Sequence, residues 1–281
     1  MHSQPTISFH ASVTGDTPVR WPKSLQIASS AGFLAIDIVL PEVAGEPAEL
    51  TRERLQTAGV AAGPASLPVE FRLDEDTFRR DLASLNDLAS LAADIGVGTM
   101  FRSIPASSDT PARELKPILQ KRISTCAKIL AEHGIDFAIE PIGPLHRRRE
   151  GLYEFIWQIP DAAEFAKACD GDIGLLIDSW HWHHANGTAE QIVALGDLVR
   201  HVHVADSADM RAELIRDDQR VLPGHGVVDH SGFVEALRQI NYSRFVSPEV
   251  RGYQCDSRSA TCAGVALAAV NAALAPAFHA R

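Results

Sequence analysis

Cysteine is scarce in this chain, with four residues in 281, at positions 126, 169, 255 and 262. None of them forms the close pairs that ligate a structural zinc ion, and their density is far below that of a disulfide-stapled domain. We therefore expect Cys126, Cys169, Cys255 and Cys262 to be reduced thiols in a cytoplasmic protein.

A membrane or export signal is also lacking. The first residues, MHSQPTISFHASV, contain neither a basic leader nor an apolar core. No apolar run approaches the roughly 20 residues that are needed to span a bilayer. We expect the protein to have no membrane partner.

Positive charge is in short supply. The chain has 26 Lys and Arg against 36 Asp and Glu, which gives a formal net charge of -10 at pH 7. Such a field repels a phosphate backbone unless a local basic patch outweighs it. The balance disfavours nucleic acid, and we expect no nucleic-acid partner.

No Gly-Ser linker, proline-rich linker or low-complexity block divides the chain. Its 281 residues, 46% of them hydrophobic, are enough for one large core. This length is within the usual size of one α/β barrel. We predict a single domain over residues 1–281.

What the chain does contain is a regular alternation of short apolar runs and longer amphipathic stretches, typical of βα units around a parallel sheet. Helical spacing is clearest over residues 78–95 and 115–130, and an alanine-rich closing helix is expected over 260–277. The pattern predicts a (β/α)₈ TIM barrel. The predicted strands are 6–10, 33–39, 59–66, 97–103, 137–140, 174–178, 201–204 and 245–249.

Four of the predicted strands end in side chains that can bind a metal. Glu140 ends FAIE, Asp178 ends GLLID, His203 lies near the end of HVHVAD, and Glu249 ends FVSPE. In such a barrel all strands end at one face, so these residues should converge there. Carboxylates with one imidazole suit Mn²⁺, Mg²⁺ or Co²⁺ and tolerate Zn²⁺. We predict one divalent metal ion at this face.

Glu140 or Glu249 alone could instead be a structural carboxylate paired with an arginine, but the coincidence of four strand ends favours the metal site. His201 lies two residues before His203 on one strand, so both side chains point the same way. The histidine nearer the carboxyl end is the better ligand. We expect His201 to be a packed, hydrogen-bonded interior residue.

Over residues 137–252 these motifs resemble the sugar phosphate isomerase/epimerase family with the xylose-isomerase-like TIM barrel, which includes inosose isomerases and dehydratases. The similar segments are EPIGP at 140–144, D-x-x-H at 178–181, H-x-H at 201–203, PGHG followed by Asp229, and the last strand with Glu249. The resemblance implies that Glu140, Asp178, His203 and Glu249 bind the metal.

The resemblance further implies that His181, the histidine of D-x-x-H, contacts the substrate. Members of the family often carry an acidic residue between the two glycines of the PGxG loop, where this chain has His225. That departure leaves the role of the loop open.

The expected activity is isomerisation or epimerisation of a sugar, inosose or keto-polyol. A metal that bridges a carbonyl and the neighbouring hydroxyl stabilises the enediolate formed when the adjacent C–H is deprotonated. Glu140 and Glu249 lie on different strands, so one can take the proton and the other can return it.

Arginines near the predicted mouth are candidates for binding an acidic group of the substrate. The run HRRR at 146–149 follows the fifth strand, and guanidinium groups bind carboxylate or phosphate in a bidentate manner. We predict this role for Arg148 or Arg149, and for Arg102 after VGTMF. The alternative is a solvated basic loop without a partner.

Three other functions remain open at this point. A dehydratase similar to 3-dehydroshikimate or inosose dehydratases would use the same site, because both reactions begin with removal of a proton next to a carbonyl. An endonuclease-IV-like nuclease would need additional histidines on early strands, which VGTMFRS and GVAAGPAS do not offer. The third alternative is a non-catalytic barrel that retains a metal. Similar proteins are often homo-oligomers.

Overall fold

The structure, a computed structural model, describes residues 4–15 and 19–278. Over this part of the chain, eight parallel strands form a closed barrel in which each strand pairs with the next and the last pairs with the first. All eight predicted strands are confirmed, with ends that differ by at most two residues. The strands are β1 Thr6–Phe9, β2 Ala35–Ile38, β3 Ala61–Ser66, β4 Thr99–Ser103, β5 Asp136–Glu140, β6 Ile173–Asp178, β7 Val199–Val204 and β8 Phe245–Pro248.

Helices follow the strands and form the outer layer, as the βα alternation predicts. The described residues form α1 Lys23–Ala31, α2 Leu40–Val43, α3 Ala48–Ala58, α4 Glu75–Leu82, α5 Leu85–Ile95, α6 Ala112–Glu132, α7 Leu145–Arg148, α8 Ile159–Lys167, α9 Ser179–His184, α10 Ala189–Val193, α11 His230–Gln239 and α12 Ser259–Phe278. One large cluster of buried apolar side chains joins the strands of the barrel to these helices.

The helical stretch predicted over 78–95 is divided in the structure. Helix α4 ends at Leu82 and α5 begins at Leu85, with Ala83 and Ser84 between them. The step from Leu82 to Leu85 is one helical turn, so the apolar residues stay in phase across the break. The periodicity alone therefore could not reveal it.

Helix α12 is long and apolar enough, by length and composition, to cross a membrane. The prediction that no apolar run approaches this length is therefore wrong, because alanine makes nearly the whole helix apolar. In the structure α12 packs against α1, α11 and the barrel, with Ala266, Val270 and Leu274 buried. It is the closing helix of the outer layer, as expected.

The cysteine prediction is wrong for two of the four residues. Cys255 and Cys262 are joined in a disulfide, with their Cα atoms 6.0 Å apart, whereas Cys126 and Cys169 are free. The two bonded residues lie seven positions apart, in the turn after β8 and the first turn of α12. The fold of this turn brings them together, and no close sequence pair signals it.

Candidate metal centre and active site

The four predicted metal ligands meet at the carboxyl ends of neighbouring strands. Glu140 ends β5, Asp178 ends β6, His203 lies near the end of β7, and Glu249 follows β8. The parallel register places Asp178 beside His203 and His203 beside Ser247. Because all strands run the same way, residues distant in sequence reach one face of the barrel.

The ligand atoms of these residues lie within 4.8 Å of one another, and all four residues are buried. Nδ1 of His203 is 3.6 Å from Oε1 of Glu140, 3.6 Å from Oε2 of Glu249 and 3.9 Å from Oδ2 of Asp178. These separations are too long for hydrogen bonds. They leave a small space that is enclosed by three carboxylates and one imidazole.

Several polar atoms around this space have no hydrogen-bond partner among the described residues. They include Oε1 of Glu140 and both ring nitrogens of His203, all fully shielded. Leaving a buried polar atom unpaired costs about 1–3 kcal/mol, so clusters of such atoms call for an explanation. The donor set fits a divalent cation, which would satisfy these atoms together.

Arg220 is a buried cation within this cluster, and sequence reasoning missed it. Its Nη1 lies 2.8 Å from Oδ2 of Asp178 and 3.0 Å from Oε2 of Glu249, and its side chain is fully buried. Its Nε and Nη2 donate to Oδ1 of Asp217 at 2.9 and 2.6 Å. Arg220 belongs to no motif, so no signal in the sequence could have found it.

The cluster shifts the ionisation of its members. Burial alone would lower the pKa of His203, but Glu140 and Glu249 raise it to about 10. Burial alone would raise the pKa of Glu249, but Arg220 and His203 hold it well below its ordinary value. Without a metal, a proton on His203 therefore compensates the carboxylates, and a metal ion has to displace that proton.

His181 lies beside the cluster because Asp178 begins helix α9. Oδ1 of Asp178 accepts hydrogen bonds from the backbone N–H groups of Trp180 and His181 at 2.7 and 3.1 Å, while Oδ2 faces the cluster. Nη2 of Arg220 donates to Nε2 of His181 at 3.1 Å, so neutral His181 carries its proton on Nδ1. This geometry explains the D-x-x-H spacing.

The glycine of EPIGP lets the loop after β5 approach α9 closely. A Cβ atom at Gly143 would lie 2.1 Å from the carbonyl oxygen of His181 and 2.9 Å from the backbone nitrogen of Ala185. A larger residue would therefore push His181 away from Glu140, whose Oε1 is 4.0 Å from Nε2 of His181.

A cavity of about 520 Å³ opens above the cluster. Its lining includes the predicted substrate residues His181 and Arg102. Arg147 also lines it, whereas its neighbours Arg148 and Arg149 do not line this cavity among the described residues. The guanidinium of Arg148 instead stacks on Trp157, 4.0 Å from the ring centroid.

His10 is a further cavity residue that sequence reasoning missed. Its Nε2 lies 4.0 Å from Oε1 of Glu249, and burial lowers its pKa to about 4. It directly follows β1 and ends the strand predicted over 6–10, so its position at a strand end was an available signal.

His201 lies one layer below the cluster and is fully buried. Its Nδ1 is 3.1 Å from the carbonyl oxygen of Phe245, and burial holds its pKa well below the ordinary value. The ligand atoms of Asp37, His201 and His203 also lie within 4.8 Å of one another. Oδ1 of Asp37 accepts hydrogen bonds from Ser8 at 2.6 Å and Ser247 at 2.9 Å.

The PGHG loop is held by a different carboxylate. Asp206 accepts hydrogen bonds from the backbone N–H groups of Gly224, Gly226 and Val228 at 2.9–3.0 Å. His225 at the loop tip is exposed and is not among the cavity residues that the structure describes.

The fold and the site place the chain in one class of protein: (β/α)₈ barrels with a carboxylate–imidazole cluster at the carboxyl ends of the strands. The model of the xylose isomerase-like TIM barrel family matches residues 25–269, and the chain belongs to this family. An inosose isomerase of Bacillus velezensis is 23% identical over 181 residues, 63% of this chain and 62% of that protein. An inosose isomerase of Halalkalibacterium halodurans is 28% identical over 159 residues, 53% and 54% of the two chains. The chain thus spans less than two thirds of the length of these relatives.

Solved structures agree over nearly the whole fold. A xylose isomerase domain protein from Alicyclobacillus acidocaldarius superposes with a TM-score of 0.88 at 25% identity, covering 97% of this chain and 99% of the other. The IolI protein, solved with a bound zinc atom, superposes with a TM-score of 0.83 at 19% identity, covering 99% and 100%. At 19% identity, the likeness to the IolI protein shows the fold alone.

Proposed function

We propose that this protein is a divalent-metal-dependent isomerase or epimerase of a polyhydroxylated carbonyl compound. The observation that carries the proposal is the buried cluster of Glu140, Asp178, His203 and Glu249, with unpaired polar atoms, at the floor of an open cavity. The named activity of the inosose isomerase relatives supports the same class of reaction.

In this proposal Glu140, Asp178, His203 and Glu249 hold one Mn²⁺, Mg²⁺, Co²⁺ or Zn²⁺ ion. When bound, the ion supplies Lewis acidity that lowers the cost of removing a proton next to the carbonyl. The zinc atom of the IolI structure supports a cation in this class of barrel, without deciding which metal this chain prefers.

Glu140 and Glu249 exchange the proton of the substrate. Both line the cavity, and they reach it from β5 and β8, with β6 and β7 between them. Arg220 and His203 hold the pKa of Glu249 well below its ordinary value, so this carboxylate is ionised at neutral pH. A carbon held between the two carboxylates can lose its proton to one and regain it from the other, which inverts the centre or moves the carbonyl.

His181 lines the cavity and contacts the substrate in this proposal, whereas the fully buried Arg220 fixes the orientation of the His181 ring. Nε2 of His181 already accepts from Arg220 at 3.1 Å, so Nδ1 carries the ring proton and both side chains keep a fixed orientation. Nδ1 of His181 is buried without a partner among the described residues. Nε2 lies 4.0 Å from Oε1 of Glu140, so the ring stands where a hydroxyl or carbonyl group of the substrate would approach that carboxylate.

The test combines metal content with proton exchange. We expect about one metal ion per chain by plasma mass spectrometry and chelator-sensitive uptake of solvent deuterium into a ketose or inosose. Glu140→Gln and Glu249→Gln should each slow the uptake by about 100-fold or more. Glu235→Gln, on the surface of α11, is the matched control and should exchange at the normal rate.

Full exchange in both Gln variants of the cluster would contradict the proposal. Loss of water from the substrate would indicate the dehydratase instead, and three zinc ions per chain would indicate the nuclease.

We also propose a cytoplasmic location, in keeping with an enzyme of small-molecule metabolism. A disulfide such as Cys255–Cys262 is exceptional in that compartment. A thiol count on protein purified without reductant tests whether Cys255 and Cys262 are bonded in the cell. Four titratable thiols would show that the pair is reduced in the cell.

A further inference from the structure

Three arginines line one side of the cavity and are here called the arginine wall: Arg72, Arg102 and Arg147. Arg72 follows β3, Arg102 lies in β4, and Arg147 lies in α7 after β5. The proposed metal cluster, by contrast, extends from β5 to β8. The cavity therefore has a basic side and an acidic floor, although the chain as a whole carries a net charge of -10.

Glu70 compensates only part of this positive charge. Nε and Nη2 of Arg72 donate to Oε1 and Oε2 of Glu70 at 2.7 and 2.6 Å. Nη2 of Arg102 donates to the same Oε2 atom. Burial alone would raise the pKa of Glu70, but the two arginines lower it to about 2, so it carries one full negative charge. Two guanidinium groups thus share one carboxylate and leave a net positive charge.

Both arginines of this pair are substantially shielded from water. The side chains of Arg72 and Arg102 are 27% and 26% exposed, compared with 55% for Arg251 on the other side of the cavity. An uncompensated charge is costly when it is withdrawn from water, so a shielded surplus favours a bound anion. Nε of Arg102 is fully shielded and has no partner among the described residues.

Arg147 lies at the rim in an exposed ion pair, so it adds a guanidinium group to the wall but no net charge. Its Nη1 donates to Glu150 at 2.6 Å, and both side chains are about half exposed, so water screens this pair. A side cleft of about 200 Å³ shares Arg72, Ser103 and Arg147 with the main cavity, and their ion-pair partners Glu70 and Glu150 also line it. The arginine wall therefore borders a space large enough for an additional group of the substrate.

We infer that the substrate carries an anionic group, a carboxylate or a phosphate monoester, which binds at the arginine wall while its carbonyl end lies over Glu140 and Glu249. This inference rests on the proposed function and specifies its substrate class. Guanidinium groups recognise both anions through the same paired N–H donors, so the wall by itself does not distinguish them.

The experiment measures deuterium uptake with three matched substrates: a ketose, its phosphate monoester and the keto acid of the same carbon number. We expect a KM for one of the two anionic substrates that is at least about tenfold lower than for the neutral ketose. Arg147→Gln should raise that KM about tenfold or more and leave the kcat and the neutral ketose nearly unchanged. Arg147→Lys should recover part of the loss.

Arg149→Gln is the matched control, because Arg149 is two residues away and does not line the cavity among the described residues. We expect it to behave like the wild type with all three substrates. Equal KM values for the neutral and anionic substrates, with no effect of Arg147→Gln, would overturn the inference and leave the proposed function intact.

A direct binding measurement separates the two proposals. Isothermal titration of the metal-loaded protein with the phosphate monoester and with the keto acid should give binding of one of them that weakens about tenfold in Arg147→Gln. Binding without deuterium exchange would contradict the proposed function and support the arginine wall. Absence of binding by both anions would overturn the inference even if the neutral ketose exchanges.

Discussion

Two layers of polar residues lie inside the barrel, and they differ in how their polar atoms are satisfied. In the lower layer, the carbonyl oxygen of Phe245 lies 3.1 Å from Nδ1 of His201, and Oδ1 of Asp37 accepts hydrogen bonds from two serine hydroxyls, while only its Oδ2 has no partner among the described residues of this layer. In the upper layer, His203 has no hydrogen-bond partner at either ring nitrogen among the described residues. One strand thus presents two histidines in contrasting surroundings.

The ionisation of the two histidines shows the physical difference. Burial holds the pKa of His201 well below its ordinary value, whereas the carboxylates of Glu140 and Glu249 overcome burial and raise that of His203 to about 10. A buried imidazole that faces carbonyl and hydroxyl groups is a structural residue. An imidazole that faces three carboxylates instead belongs to a site that binds a cation, either a proton or a metal ion.

The largest expected effect concerns the cation already present in the upper layer. Arg220→Met leaves Asp178 and Glu249 without their buried partner, so we expect it to destabilise the metal-free protein by about 3–5 kcal/mol. Saturating Mn²⁺ should reduce this difference, since it supplies a cation to the same carboxylates. Urea unfolding with and without metal measures both effects.

Arg211→Met is the control for Arg220, because Arg211 is 80% exposed and pairs only with Glu213 in the structure as described. Its free energy of unfolding should match that of the wild type. If Mn²⁺ leaves the cost of Arg220→Met unchanged, the upper layer does not bind the ion through Asp178 and Glu249.

The second effect separates the two histidines. His203→Asn should weaken metal binding by more than about 100-fold, equivalent to about 2.7 kcal/mol, because it removes a proposed ligand. His201→Asn should keep metal binding and lose about 1–3 kcal/mol of stability, since it removes a fully buried imidazole and its hydrogen bond to the carbonyl group of Phe245. Titration against a chelating dye measures the affinity. An equal loss of affinity in His201→Asn would shift the site toward Asp37, His201 and His203.

The third effect concerns a carboxylate outside both layers, whose partners are mostly backbone N–H groups. Burial alone would raise the pKa of Asp206, but His230 and the N–H groups of Val228 and Ser207 lower it to about 2. A lowered pKa stabilises the fold above the unfolded value of about 4, and this stability is lost as the pH falls from about 4 to 2.

Asp206→Asn should therefore be less stable than the wild type by about 2 kcal/mol at pH 7, and the gap should narrow progressively as the pH falls from about 4 toward 2. Denaturant unfolding between pH 7 and 2.5 tests this, with the exposed Asp209→Asn as the control. A gap that stays constant with pH would mean that the charge of Asp206 contributes nothing.

The smallest effect is expected for an exposed ion pair in the outer layer of the protein. Lys128 and Asp170 form an ion pair whose side chains are 58% and 77% exposed. Lys128→Ala should change the free energy of unfolding by no more than about 0.5 kcal/mol, because water screens such pairs. A cost close to that of Arg220→Met would remove the distinction between buried and exposed charges.

The order of the strands, the barrel and the convergence of Glu140, Asp178, His203 and Glu249 follow from the sequence alone. Hydrophobic alternation locates each strand, and parallel strands bring their carboxyl ends to one face whatever the loops between them. Positions at strand ends are therefore predictable without any knowledge of side-chain contacts.

Only the tertiary structure decided which other residues join them. Arg220, the pairing of Glu70 with Arg72 and Arg102, the choice of Arg147 over Arg148 and Arg149 at the cavity, and the disulfide between Cys255 and Cys262 all depend on how the loops pack. Loops lack the periodicity of strands and helices, so their contacts carry no local signal in the sequence.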